Sequence, residues 1–243
     1  GSPIAVFDYQ TGRSGAYARA FLADWSGHLV VDDYGGYKAL FRAGITDVGC
    51  MAHARRKFFE LHAANQSPVA TEALRRIAEL YAIEARGRDL DGSARQMLRG
   101  QEALPKLQAL HDWLQLTRQG VANGGGLAKA MDYSLKRWPA LSRYAHSASL
   151  PIDNNPVENV IRPIAVGKKN WLFTGSERAG RDLLFGGSVL SPKRLIHILS
   201  VAAIVLVLVP SLAHAQRGRG GRGGGGRTVV VAPLYNSFYA PYY

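Results

Sequence analysis

The 243-residue sequence predicts an α/β protein with a large α-helical insertion and a low-complexity tail. Three observations lead to this fold class. Short apolar, β-leaning runs alternate with helical patterns in the first fifth of the chain. A long stretch with helical periodicity follows, and the C-terminal region is dominated by glycine, arginine and tyrosine.

Three apolar runs predict the strands, at Ile4–Tyr9, His28–Val31 and Ile45–Cys50. Helical patterns separate them, one over Ala16–Trp25 and a shorter one over Lys38–Ala43. The alternating order of strands and helices favours a layer in which the strands pair in parallel.

Apolar residues at helical spacing predict a series of amphipathic helices after His53. The predicted helices are Ala54–Ala64, Ala70–Arg86, Leu104–Arg118 and Leu127–Ala145. A further helix begins after Pro151, and the run KKNWLF behind it is typical of a turn that enters a strand. The helices therefore interrupt the α/β layer.

The net charge of +12 is spread unevenly. Residues from Ser191 onward contain six basic residues and no acidic one, so the preceding part carries +6. Such a body is compatible with a polyanionic partner. The single cysteine, Cys50, excludes an internal disulfide framework and fits a reducing compartment.

The tail contains a pattern typical of a secretory signal peptide, although it lies inside the chain. Lys193 and Arg194 precede the apolar run Leu195–Val209, and Ala213-His214-Ala215 follows. Alternatives are a buried helix or a short membrane span over Leu195–Ala215. The Gly/Arg-rich residues behind it are expected to be disordered.

Asp32 is the first candidate site residue, because it follows a predicted strand. Ligands of α/β sheets bind at the carboxyl ends of strands. Taken alone, the residues favour a simpler interpretation, in which Asp32 or Asp33 opens the turn before Gly35-Gly36.

Glu158 is the second candidate, in the stretch PIDNNPVENVIRP. Asn155 is predicted as the N-cap, Pro156 as the first helical residue and Glu158 as a capping-box acid, with Arg162 one turn later. Capping explains Glu158 well, but it leaves the preceding Asp153-Asn154 without a role.

Basic clusters begin two of the predicted segments and could contact phosphates, although a solvated surface would look the same. The predicted nucleic-acid contacts are Arg55, Arg56, Lys57, Asn154, Asn155, Arg162, Lys168, Lys169, Asn170 and Trp171. The pair Cys50 and His53 does not predict a zinc site, because no second cysteine exists. A phosphate-binding loop and a Ser-His-Asp pattern are also absent from the sequence.

Taken in order, several segments resemble bacterial transposases of the insertion-sequence 66 family. They are VFDYQTGRSG, VVDDYGGYKALF, GCMAHARRKFFEL, ALRRIAELYAIEA, AKAMDYSLKRWPALSRY and IDNNPVENVIRPIAVGKKNWLFTGSE. The resemblance covers about Pro3 to Gly180, and its most specific parts are the DNNP-x-E and KNWLF blocks.

The resemblance implies a ribonuclease-H-like core whose Asp, Asp and Glu bind two Mg²⁺ ions and process DNA at transposon ends. Asp32 matches the second aspartate and Glu158 the glutamate of this set, so both are predicted as catalytic and metal-binding residues. Carboxylate oxygens suit Mg²⁺, and two metal ions suit phosphoryl transfer.

The resemblance also implies that the core is incomplete, because the family's first aspartate lies upstream of the matching segments. We therefore expect this chain alone to be inactive in strand transfer. The expected regions are a partial core (1–63), a helical insertion (64–150), the glutamate helix and end of the core (151–190), and the apolar segment with its disordered tail (191–243).

The expected partner is DNA, both transposon ends and target, in a cytoplasmic, nucleoid-associated protein that could form a homo-oligomer. The alternative is a non-catalytic remnant that binds nucleic acid through its basic residues, or a membrane through Leu195–Ala215.

Overall fold

The structure is a computed structural model that describes residues 4–10, 14–159, 202–209 and 227–233. Its strands are β1 (Ile4–Gln10), β2 (Gly27–Val31), β3 (Thr46–Gly49), β4 (Ala202–Val209) and β5 (Arg227–Pro233). Its α-helices are α1 (Gly15–Leu22), α2 (Lys38–Arg42), α3 (Met51–Asn65), α4 (Pro68–Gly87), α5 (Gly92–Leu98), α6 (Leu104–Gln119), α7 (Gly126–Lys136) and α8 (Trp138–Ser142). The chain divides into two compact units, one made of residues 28–33 and 46–154, the other of residues 1–27, 34–45 and 155–243.

The first unit contains the parallel strand pair β2 and β3. Val30 lies opposite Val48, and Val31 lies opposite Gly49. Leu29, Val30, Val31 and Val48 are fully buried, which explains why β2 ends in a continuous apolar run rather than an alternating one. The predicted strands and their parallel pairing are thus confirmed for this part of the chain.

The helices of the first unit pack around α3 and α4. Helix α3 contacts α4 and α7, and α6 contacts both α4 and α7. Helix α4 begins where the side chain of Ser67 accepts a hydrogen bond from the amide of Ala70, with Pro68 in the first turn. Its buried residues recur at helical spacing, at Ala70, Ala73, Ile77, Leu80 and Ile83.

One predicted helix is divided in the structure. The pattern predicted a single helix over Leu127–Ala145, whereas α7 ends at Lys136 and α8 begins at Trp138. Pro139 explains the break, because it lacks the N–H that a continuous helix would bond to the preceding turn. A 3₁₀ turn over Arg143–His146 then follows α8.

Helices α5 and α6 are joined without a loop. A π-helical segment, Arg99–Ala103, connects them. Helix α6 confirms the helix predicted over Leu104–Arg118, whereas α5 was not predicted.

The second unit contains an antiparallel sheet in which β4 lies between β1 and β5. Ile4 lies opposite Leu208, and Ile204 lies opposite Pro233. Helix α1 begins after Ser14, whose side chain accepts a hydrogen bond from the amide of Ala16. Residues 155–159 are helical, so this helix begins at the residue that the sequence predicted as its N-cap.

Part of the apolar run Leu195–Val209 is a strand rather than a helix. Ala202–Val209 form strand β4, so the interpretation as a buried or membrane-spanning helix is wrong for these residues. Helices in the described ranges are all too short or too polar to cross a bilayer. In the coarse sense the α/β class is confirmed: the described residues are mostly helical and include a small parallel sheet.

Candidate functional site around Asp32

Asp32 lies directly after β2, at the carboxyl edge of the parallel pair. Its Oδ2 is 4.0 Å from Nε2 of His53, a residue in the first turn of α3. The two side chains are only 12% and 19% exposed, respectively. The sheet therefore places Asp32 where α/β proteins bind ligands. The imidazole ring of His53, on α3, lies next to its carboxylate.

His53 is neutral at physiological pH. Burial lowers its pKa to about 4, and the charges of Arg56 and Lys57 act in the same direction. The contact between His53 and Asp32 is consequently that of a neutral ring with a carboxylate, rather than an ion pair. Nδ1 of His53 is buried and has no hydrogen-bond partner within the described part of the chain.

Asp33 differs from its neighbour, because it belongs to a structural ion-pair cluster. Arg137 places Nη1 3.5 Å from Oδ1 of Asp33, and its Nη2 donates to Oδ1 of Asp47 at 2.9 Å. Burial would lower the pKa of Arg137, but the hydrogen bonds and charges of Asp47, with that of Asp33, raise it. The backbone of Asp33 has a φ of 77°, a left-handed conformation that Asp tolerates better than most residues.

Asp153 and Asn154 are buried and hydrogen-bond to α4 and to the residue before α3, respectively. The hydroxyl of Tyr81 donates to Oδ2 of Asp153 at 2.7 Å, and Sγ of Cys50 donates to Oδ1 of Asn154 at 2.9 Å. The amide of Met51 donates to the carbonyl of Ile152 at 3.0 Å. These contacts give Asp153-Asn154 the structural role that helix capping could not supply.

Burial and the negative charge of Asp153 both raise the pKa of Tyr81, so its hydroxyl stays protonated and can donate. Asp153 is 5% exposed and Asn154 is fully buried. In this conformation Asn154, a predicted nucleic-acid contact, uses its side-chain oxygen inside the protein.

The basic residues near the start of α3 follow His53, whose ring lies 4.0 Å from Asp32. Lys57 is exposed, whereas Arg55 and Arg56 are half-buried. The guanidinium of Arg55 lies 5.7 Å from the ring centroid of Phe59, and Nζ of Lys57 lies 4.5 Å from that of Tyr133.

The remaining predicted site residues lie elsewhere. Asn155 and Glu158 are in the helical residues 155–159 of the second unit. Five others fall outside the described residues: Arg162, Lys168, Lys169, Asn170 and Trp171.

Across the described ranges, no three His, Cys, Asp or Glu side chains come together as a metal site requires. Asp32 supplies the carboxylate oxygens that Mg²⁺ prefers, whereas its neighbour His53 offers nitrogen.

These features define an α/β protein with an acidic residue at the edge of a parallel sheet and a helix with a basic start that contributes His53 to it. The chain belongs to the family described as "Transposase IS66 family", whose profile it matches over residues 1–182.

Curated relatives support the assignment. The chain is 32% identical to the uncharacterized protein y4hP of Sinorhizobium fredii over 193 residues, which cover 72% of this chain and 35% of y4hP. It is 34% identical to the uncharacterized protein y4qI of the same organism over 187 residues, with 74% and 35% covered. The chain thus spans about a third of the length of these relatives. No solved structure matches it.

Sequence reasoning missed three residues that organise this site: Tyr81, Tyr133 and Arg137. Tyr81 lies on α4, Tyr133 lies on α7, and Arg137 is the residue between α7 and α8; each has a polar end on a largely apolar side chain or stem. That combination is a weak signal for a buried hydrogen bond or ion pair, because the partner lies far away in sequence.

Proposed function

We propose that this chain is part of a transposase that acts in DNA transposition, through a ribonuclease-H-like core of the Asp-Asp-Glu type. The observation that carries the proposal is the family match over residues 1–182, which includes both acidic candidates. The position of Asp32 at the carboxyl edge of β2 and β3 supports it.

In this proposal Asp32 and Glu158 are the catalytic acids, with Mg²⁺ as the cofactor and DNA as the substrate. Because the chain spans about a third of its relatives' length, we assign strand cleavage and strand transfer to a longer protein. We expect the 243 residues alone to be inactive. The protein would act on DNA in the cytoplasm, at the nucleoid.

A chimera tests this proposal. In it, the part of y4hP that lies upstream of the matching region is joined to residue 1 of this chain. Purified chimera and isolated chain are incubated with duplex DNA carrying the ends of the corresponding mobile element, in Mg²⁺ or Mn²⁺. We expect the chimera to cut the ends and the isolated chain to leave them intact.

Matched variants assign the chemistry to the proposed acids. Asp32→Asn and Glu158→Gln should reduce cutting by the chimera to background. Asp33→Asn makes the same chemical change one residue away, at a side chain engaged by Arg137, and should retain cutting. An inactive chimera, or cutting that survives Asp32→Asn, would contradict the proposal.

A further inference from the structure

A basic surface on α7 and α3 extends beyond the site around Asp32, with which it shares Lys57 and Tyr133. Lys129, Tyr133 and Lys136 lie on one side of α7, at spacings of four and three residues. Lys57 of α3 joins them, because its ammonium lies 4.5 Å from the centroid of the Tyr133 ring. The four residues Lys57, Lys129, Tyr133 and Lys136 are called the α7 basic surface below.

The lysines of this surface carry charge that no nearby acid neutralises. Lys57, Lys129 and Lys136 are exposed, and none of them forms an ion pair with a carboxylate among the residues that the structure describes. The acidic residue of α7, Asp132, is held by Arg118 instead, at 2.7 Å and 3.1 Å.

The opposite arrangement is found on α4 and α6, where basic side chains have acidic partners. The pairs are Arg75 with Glu72 and Glu79, Arg76 with Glu72, Lys106 with Glu79, and Arg86 with Glu102. The basic side chains named on α4 and α6 are therefore neutralised, whereas Lys57, Lys129 and Lys136 are exposed and can bind an external anion.

Two contacts connect the basic surface with the neighbourhood of Asp32. Nε2 of His53 lies 4.0 Å from Oδ2 of Asp32, and Lys57 follows His53 by one turn of α3. Arg137, the residue after Lys136, places Nη1 3.5 Å from Oδ1 of Asp33. A polyanion that contacts the lysines therefore passes close to the residue proposed for chemistry.

We propose that the α7 basic surface binds the phosphate backbone of duplex DNA and leads it toward Asp32. This inference rests on the proposed function, since it names a surface for the same substrate. Lysine ammonium groups contact phosphates without reading base sequence, so the surface would contribute affinity and orientation. The aromatic ring of Tyr133 fixes one of these groups in place.

Salt-dependent binding of the full chain to a fluorescent 30-base-pair duplex of arbitrary sequence tests the inference. The variant is the triple substitution Lys57→Gln, Lys129→Gln and Lys136→Gln. The logarithm of the binding constant falls linearly with the logarithm of the salt concentration, and each phosphate contact contributes about 0.9 to the steepness of this fall for B-form DNA. The triple variant should therefore have a slope that is less steep by about 2.7. Circular dichroism confirms that the variant is folded.

A matched control removes the same formal charge elsewhere. Arg19, Lys38 and Arg42 are exposed on α1 and α2, and none of them has an ion-pair partner among the described side chains. Their triple substitution to Gln should change the slope far less. An equal loss in both variants, or an unchanged slope in the α7 variant, would overturn the inference.

The outcomes separate this inference from the proposed function. Duplex binding with an unchanged salt slope in the α7 triple variant refutes the DNA-binding role of the α7 basic surface. Cutting of transposon ends by the chimera tests the proposed function independently. A chain that binds no duplex at all contradicts the inference. A duplex of RNA with the same sequence is a second arm, and stronger binding to RNA than to DNA would also overturn it.

Discussion

The hydrogen bond between Tyr81 and Asp153 should be a measurable source of stability. Asp153 is 5% exposed and accepts the hydroxyl of Tyr81 at 2.7 Å. The substitution Tyr81→Phe keeps the ring and removes only the donor. A hydrogen bond to a charged group contributes about 1.5–3 kcal/mol, so Tyr81→Phe should lower the free energy of unfolding by that amount.

Tyr144 offers a matched control for the same chemical change. It is fully buried, and its hydroxyl has no hydrogen-bond partner among the residues described by the structure. Tyr144→Phe therefore removes a buried polar group without breaking a bond, and its effect should be close to zero or stabilising.

Urea denaturation followed by circular dichroism measures both variants against the parent chain. The reasoning predicts a large cost at Tyr81 and none at Tyr144. Equal costs at the two positions, or a cost below about 0.5 kcal/mol at Tyr81, would refute it. The double variant with Asp153→Asn should show a coupling of at least about 0.5 kcal/mol, as expected for residues in direct contact.

Three further perturbations follow from buried charge, packing and protonation. Arg99 is 3% exposed and donates to Glu84 at 2.9 Å, so Arg99→Met should cost about 3–5 kcal/mol in urea denaturation; a loss below 1 kcal/mol would contradict this. A Cβ on Gly49 would lie 3.0 Å from the backbone nitrogen of Leu141, so Gly49→Ala should lower the midpoint of thermal unfolding. Gly35→Ala is the control and should leave this midpoint unchanged, because a Cβ on Gly35 would have no described atom of a non-neighbouring residue within 4 Å. His53 binds a proton more weakly in the folded chain than in the unfolded chain, because its pKa falls from 6.5 to about 4 on folding. The free energy of unfolding, measured in EDTA, should therefore decrease as the pH falls from about 6.5 to 4. His53→Gln should reduce this decrease, and an unchanged pH profile would refute the assignment.

Local patterns predicted most of the secondary structure of the first unit. Strand β2 ends in the apolar run of residues 29–31, directly before Asp32, and α4 has both a cap and a clear helical period. The position of Asp32 after β2 was predictable for the same reason. Local signals suffice here because burial on both sheet faces selects apolar residues at consecutive positions.

Partners far apart in the sequence were not predictable. Tyr81 bonds a carboxylate 72 residues away, and Cys50 bonds an amide 104 residues away. The pairing of β1 with β4 joins residues near both ends of the chain. No periodicity in one segment specifies such a partner, because the contact depends on how the elements pack.

The π-helical segment between α5 and α6 accommodates one residue more than an α-helix of the same rotation would hold. Residues 92–119 are helical without a break, and the wider turn at Arg99–Ala103 takes up the additional residue without a loop. Inserting one residue into a regular α-helix would rotate everything beyond it by about 100°, the angle between successive residues. The wider turn absorbs that rotation locally, so Leu107, Leu110 and Leu114 of α6 stay on the buried side. The irregular turn thus changes the number of residues along the helix and leaves the direction of the α6 leucines unchanged.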